Sequence, residues 1–333
     1  MKLMESIEFF SKHSISYAVP ENFNEADRWL FYDENFSFQI PAVHLKVLSG
    51  TTICNGLVFQ HSRPFFELTR HKRPPFVDLF KAAIKLQISK RGTLDVGILG
   101  LQDWANNYFH WMTEILPRIV AMNHQQPSIP VVIPSNYLKY PFIVESLNLL
   151  KIDIKTFDVR QSIKVNKLYA TAIPHVGRFN EGLMHFFLDK MLGGTASNVH
   201  PFRCIYITRG KAKRRGVSNE EAVFDLLKEK GFEKIVLEDL HLKNQIKLFQ
   251  ETRVVVASHG AGLSNSMFMQ KGQTIIELKS DNNRYWCYFS LARVFGLKYY
   301  YSLNRGISTN HRDADITVDI SRLETLVDKA MEN

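Results

Sequence analysis

The stretch from Arg253 to Met269, RVVVASHGAGLSNSMFM, restricts the fold more than any other part of the chain. Val254 to Ala257 is a short unbroken apolar run, the pattern of a parallel strand covered on both faces. Small residues from Ser258 to Gly262 interrupt it, and Leu263 to Met269 then reads as the first turns of a helix. Gly260 and Gly262 have no Cβ and tolerate positive φ, so the main chain there can approach a ligand closely. The unpaired N–H groups and positive dipole end of the helix favour an anion, and His259 adds a side-chain donor at the same place. After Gly272 comes a second strand, Gln273 to Leu278, with one acid, Glu277, at its carboxyl end. Ligands in open α/β sheets sit beyond strand carboxyl ends, where an acid commonly accepts from ribose hydroxyls. The pair of strand ends therefore reads as a phosphate cradle and a ribose acceptor. The plainer alternatives are a tight connection and a solvated strand-end charge.

The pattern extends through the second half. Strands are predicted near 203–208, 234–237, 253–257, 273–278 and 298–302, with helices near 219–230, 241–251, 262–270 and 285–295. Such alternation calls for a parallel sheet covered by helices. The first half is less regular: short strands over 36–70 with a turn at Ser49 and Gly50, then proline-punctuated loops. An α/β pattern starts at Thr93, with strands near 94–99, 131–133, 154–157 and 167–173 and helices near 107–123, 140–150 and 182–192. Small and polar residues from Gly193 to Pro201 read as a linker, which divides the chain into domains 1–192 and 193–333.

Composition bounds the partners. With 333 residues, 45% of them hydrophobic and 23% charged, the chain is globular and long enough for two domains. Cys54, Cys204 and Cys287 are far apart and lack metal-site spacing, which points to a reducing compartment. The N-terminal residues contain no apolar h-region and no segment is long enough to cross a bilayer, so a cytoplasmic location is expected. The net charge of +9 calls for an anionic partner: nucleic acid, a membrane surface or a phosphorylated substrate. Its densest run, Arg209 to Arg215, directly follows the apolar strand Arg203 to Thr208 and precedes a helix opened by an S-x-x-E capping box, Ser218 to Glu221. Arg209 and Lys213 thus stand at a strand carboxyl end, as the His259 turn does. A solvated basic loop is the alternative.

A second constellation lies in NNYFHWMTEILPR, Asn106 to Arg118, where His110 and Glu114 share a helical face at i, i+4. A histidine with a carboxylate partner makes a good general base at neutral pH. The same spacing also suits a structural ion pair.

NYFHWMTEILPRI, YITRGKAKRRGVSNEE, RVVVASHGAGLSNSMFM and QTIIELKS, in this order, resemble the motifs of glycosyltransferase family 61, whose bacterial members include capsular polysaccharide biosynthesis proteins. The resemblance covers roughly residues 95–300. It implies an α/β, GT-B-like fold of two Rossmann-like domains facing a central cleft, and an inverting transferase with no cofactor and no required divalent metal. Asp313 and Asp315 form a D-x-D by letter, but they lie in a late polar segment outside the strand-helix alternation. Carried onto this chain, the resemblance implies that Arg209, Lys213, His259, Gly260, Ala261, Gly262 and Leu263 bind the diphosphate of a nucleotide-sugar, and that Glu277 holds its ribose. It makes His110 the base, oriented by Glu114, with the reverse assignment and Asp103 left open. The acceptor is then a glycan or lipid-linked glycan in surface polysaccharide synthesis, and the positive charge allows peripheral association with the inner membrane. Two other readings are a sugar-nucleotide epimerase of the same architecture and a non-catalytic module binding nucleic acid or another polyanion. No nucleic-acid motif is present to support the last.

Overall fold

A computed structural model of the chain describes residues 6–31, 36–89, 91–194, 199–211, 214–281, 283–307 and 314–332. The architecture is mixed α/β, and the contacts separate two units: Met1–His13 with Gln39–Thr195, and Ser14–Phe38 with Ala196–Asn333.

The first unit opens with β1 (Ser6–Phe10), and a ribbon of β2 (His13–Ser16) and β3 (Ser37–Ile40) brackets the 14–38 excursion. β4 (Val43–Cys54), β5 (Leu57–Gln60) and β6 (Arg63–Pro64) make an antiparallel meander, with β1 also on β4. β7 (Arg91–Leu99), β8 (Val131–Pro134), β9 (Ile154–Phe157) and β10 (Ser162–Ala170) complete a sheet of order β6-β5-β4-β10-β7-β8-β9. The last four run parallel to one another, and β10 meets β4 antiparallel. The turn predicted at Ser49 and Gly50 does not form, because β4 continues through it. The chain reverses instead at Asn55 and Gly56, both at positive φ, as a two-residue hairpin loop of the Asn-Gly type requires.

A helix not foreseen in the sequence, α1 (Phe76–Ile88), starts immediately behind Pro75 and packs Ala82 and Leu86 on Cys54, Leu57 and Phe59. After β7 comes α2 (Tyr108–His110), which runs through a π-helical turn, Trp111–Ile115, into α3 (Leu116–Gln125). The Asn107 side chain caps its start by accepting from the Phe109 amide at 2.9 Å. Pro117 cannot donate to the carbonyl four residues back and crowds it, and the wider π turn lies directly in front of that proline. α4 (Pro141–Leu149) and α5 (Glu181–Met191) finish this unit.

The second unit holds β11 (Arg203–Ile207), α6 (Glu220–Glu229), β12 (Phe232–Ile235), α7 (Leu242–Gln250) and β13 (Thr252–Ser258). A 3-10 helix, Ala261–Phe268, leads to β14 (Thr274–Ser280), α8 (Cys287–Val294), β15 (Lys298–Gly306), β16 (Ile316–Thr317) and α9 (Ile320–Glu332). The sheet order is β12-β11-β13-β14-β15-β16, parallel through β15 and antiparallel at β16. Numbered within the unit, the parallel strands stand 2-1-3-4-5, so the direction of winding reverses between β11 and β13. Val223 and Leu227 of α6 and Leu323 and Val327 of α9 pack with Val254, Val256, Ile276 and Leu278 in one core. The predicted capping box before α6 is replaced by other bonds. The Ser218 hydroxyl bonds the Ile316 carbonyl at 3.2 Å, and Asn219 exchanges two bonds with the Val318 main chain. The segment carrying Asp315 therefore lies along this sheet as an edge rather than outside the alternation, and Asp315 accepts from the Gly216 amide at 2.7 Å. Asp313 lies outside the described residues.

The 14–38 excursion is held by aromatic contacts. Phe31 stands edge-on to Phe289 and Tyr301 at 5.5 and 5.8 Å, Phe36 meets Phe289 at 5.7 Å, and Phe38 stacks on Trp286 at 4.9 Å. The Asn22 amide adds two bonds to the Tyr301 main chain, standing in for a strand partner. Phe31→Ala should therefore cost about 3–5 kcal/mol of unfolding free energy. Equilibrium denaturation showing a loss below about 1 kcal/mol would mean that the excursion is not part of the cooperative core.

Candidate functional site

The first unit gathers polar residues behind β7, and the second gathers them behind β11 and β13 and within β14 and β15. In the first unit the centre is Glu114, whose side chain has no solvent exposure. The π turn carries this carboxylate inward, and His110 one turn earlier brings Nδ1 to 3.0 Å from Glu114 Oε2. The same Oε2 takes a 2.8 Å bond from His71 Nε2 and a 2.6 Å bond from Gln102 Nε2. His71 is in turn fixed through Nδ1 by Asp103 Oδ1 at 2.7 Å. Arg118 donates to Gln102 Oε1 and to the Glu114 carbonyl, which sets the Gln102 amide with its NH2 toward Glu114. Trp104, held at φ 63°, lies flat on the His71 ring with centroids 4.3 Å apart and also meets His110 at 4.9 Å. A non-glycine residue in that conformation is strained, and such strain concentrates at functional sites.

The sequence pairing of His110 with Glu114 is thus one edge of a larger cluster. His71 gave no local signal, since it reaches the helix from a loop 43 residues away. Two of the cluster's buried atoms, His110 Nδ1 and Glu114 Oε1, have no directed hydrogen-bond partner among the described residues. His71, His110 and Glu114 also form a set able to hold a metal ion, their ligand atoms lying within 4.8 Å of one another.

Electrostatics assigns charges to the cluster. Burial works against a charged His71, yet the Asp103 and Glu114 carboxylates outweigh it and hold the imidazolium to about 9. Burial likewise opposes ionised Glu114, but His110 and His71 pull its pKa down to about 2. Glu114 is therefore a fixed anion and a weak base, while its contact with His110 orients that ring.

In the second unit the two predicted segments meet. β11 ends at Ile207 and β13 at Ser258, and the Ser258 hydroxyl donates to the Arg215 carbonyl at 2.9 Å, folding the basic loop onto the His259 turn. Arg209 donates twice to the Arg214 carbonyl, and its guanidinium lies across Gly260. A Cβ at Gly260 would stand 1.9 Å from Arg209 Nη1, and one at Gly262 would stand 2.7 Å from Leu237 Cδ1. Neither glycine is at positive φ. They are needed for close approach and not for a left-handed turn. Burial and the neighbouring Arg215 press the Arg209 pKa below its ordinary value. Lys213 lies outside the described residues.

The predicted helix after the turn is a 3-10 helix, Ala261–Phe268. Leu263 is buried, and its amide donates to the Gly260 carbonyl at 3.0 Å, so Leu263 contributes an apolar wall and not an N–H. Ile207, Thr208, Arg209, Leu237 and Glu238 line one side of a pocket here, and Ala257, Ser258, Gly260, Gly262 and Leu263 line the other.

Glu277, expected to face a ribose, is not among the residues lining this pocket. It has no exposure, and its two oxygens receive His259 Nδ1 and the Tyr299 hydroxyl. Burial would raise its pKa, but Lys279 and His259 outweigh that and keep it ionised. The His259 pKa is lowered, mainly by burial, which leaves a neutral ring donating Nδ1–H to Glu277.

Residues 108–276, half of the chain, match the family described as Glycosyltransferase 61. The chain belongs to the glycosyltransferase 61 family. It is also similar to the EGF domain-specific O-linked N-acetylglucosamine transferase of Drosophila melanogaster, at 30% identity over 132 residues. That segment makes up 37% of this chain and 25% of the fly protein, so the match spans a quarter of the relative's length. In this family member, the matched residues include His110, Glu114, Arg209 and the His259 turn, whereas His71 and Asp103 precede them. None of the three cysteines is in a disulfide, and no helix among the described residues is long and apolar enough to cross a membrane.

The folded His71 binds its proton more tightly than an unfolded histidine would. Its contribution to stability is complete below about pH 6.5 and is lost as pH rises toward about 9. Melting curves at pH 6 and pH 9 should show a larger fall for the wild type than for His71→Gln. An equal fall in both would remove the imidazolium from the account.

Proposed function

We propose that the protein is an inverting glycosyltransferase with the division of labour of a GT-B enzyme, its second unit binding a nucleotide-sugar and its first deprotonating the acceptor. The observation that carries this reading is the Arg209–Gly260 crossing beside a pocket at the winding reversal of a 2-1-3-4-5 sheet, where such sheets bind ligands. In a chain of this family, that pocket is suited to the diphosphate of the donor. The acceptor hydroxyl would lose its proton to His110 while its oxygen attacks the anomeric carbon. The bond from that carbon to the diphosphate breaks on the opposite face, and the leaving charge falls to Arg209, His259 and the turn amides. Glu114, held anionic, orients His110. Glu277 acts through His259, since its oxygens are already engaged.

No divalent metal is required in this scheme, because the Arg209 guanidinium and the main-chain and imidazole donors of the turn would meet the leaving group. The acceptor in our reading is a glycan or lipid-linked glycan of surface polysaccharide synthesis. A second reading, a protein hydroxyl acceptor, is favoured by the name of the fly relative, and acceptor panels separate the two.

Transfer from a nucleotide-sugar to an added acceptor should persist in excess chelator, and His110→Ala should slow it by about a hundredfold to ten-thousandfold with donor binding intact. A folded His110→Ala enzyme with full turnover would leave the pair as a structural contact. Loss of activity with chelator, restored by metal, would point to the His71, His110 and Glu114 set. For the donor side, Arg209→Ala should weaken nucleoside diphosphate binding by about 1.5–3 kcal/mol. Gly260→Ala should do the same by displacing that guanidinium. Calorimetry on the double variant should find no further loss; additive losses would mean that the two residues act separately.

A further inference from the structure

We propose that Glu238 is the residue that holds the ribose of the nucleotide, a role resting on the donor site proposed above. Among the described residues lining the pocket, Glu238 alone carries a carboxylate. It stands three residues past the end of β12, the strand next to β11, and its side chain is exposed. Glu277 is unavailable for this role, being buried with both oxygens engaged.

The pocket has a polar end and an apolar wall. Arg209 and Gly260 mark the end suited to the diphosphate, while Ile207, Leu237 and Leu263 supply apolar surface for the sugar carbons and the base. A nucleotide anchored at the winding reversal and extending over β11 reaches the β12 side, where Glu238 waits with two acceptor oxygens. An ionised carboxylate accepts but does not donate, so it suits a vicinal diol, each hydroxyl donating to one oxygen. The same charge near the phosphate end repels an anion that has no hydroxyls to offer. Glu238 therefore selects for ribose and against bare pyrophosphate. Its partner is a ribonucleoside diphosphate with both hydroxyls present.

Uridine, guanosine, cytidine and adenosine diphosphates are first compared by calorimetry on the full chain. The tightest is then compared with its 2′-deoxy and 3′-deoxy counterparts and with inorganic pyrophosphate, on the wild type and on Glu238→Ala. The wild type should prefer the ribonucleotide over at least one deoxy form by about tenfold to a hundredfold, the worth of a hydrogen bond to a charged group. Glu238→Ala should erase that preference without weakening pyrophosphate. A wild type indifferent to both deoxy forms, or a variant that keeps the preference, overturns the assignment of Glu238 and leaves the donor site standing. Failure of every nucleoside diphosphate to bind the wild type overturns the donor site itself.

Discussion

An ionised carboxylate out of reach of water must be surrounded by donors, since an unpaired buried charge is strongly destabilising. Each unit is organised around one such group, Glu114 in the first and Glu277 in the second. Glu114 collects His71, His110 and Gln102, and Glu277 collects His259 and Tyr299. These contacts fix the imidazole rings. The anions are thus the internal framework of the sites, and they set the orientation of the histidines beside them. Charges differ accordingly: His71 between two carboxylates is a stable cation, whereas His259, wholly buried, is neutral.

The second constraint is steric. At the winding reversal of the second sheet, two strand ends and a basic loop converge, and a Cβ at Gly260 or Gly262 would displace the end of the Arg209 or Leu237 side chain. Side chain and turn share one small volume, which places a cation directly over the main chain at the mouth of the pocket. The aromatic excursion from residues 14–38 packs on α8 and β15 of the same sheet, joining a distant stretch of sequence to the unit that carries this turn.

Local patterns explain which features were legible. Continuous apolar runs bounded by glycines or basic residues located the parallel strands of the second half, because strands covered on both faces leave that pattern. β1, β2, α1, β16 and α9 went unread. α1 is masked by the prolines before it, and its exposed face carries Phe76, Val77 and Phe80, which blurs the helical period. The capping box before α6 failed for a related reason: tertiary bonds from β16 and the segment after it took Ser218 and Asn219. The Asn55–Gly56 hairpin was readable in principle, since that dipeptide favours positive φ at both positions.

For the sites, sequence by itself determined the chemistry available at each strand end: a histidine and a glutamate one turn apart, glycines behind an apolar strand, and cations behind another. These follow from spacing along one element. Only the tertiary structure decided which groups share a volume and which face inward. It brought His71 and Asp103 to Glu114, laid Arg209 across Gly260, buried Glu277 against His259 and Tyr299 and left Glu238 lining the pocket. The reason is that burial and pairing depend on strand order and on loops that close over many residues, and neither leaves a periodic trace in the sequence.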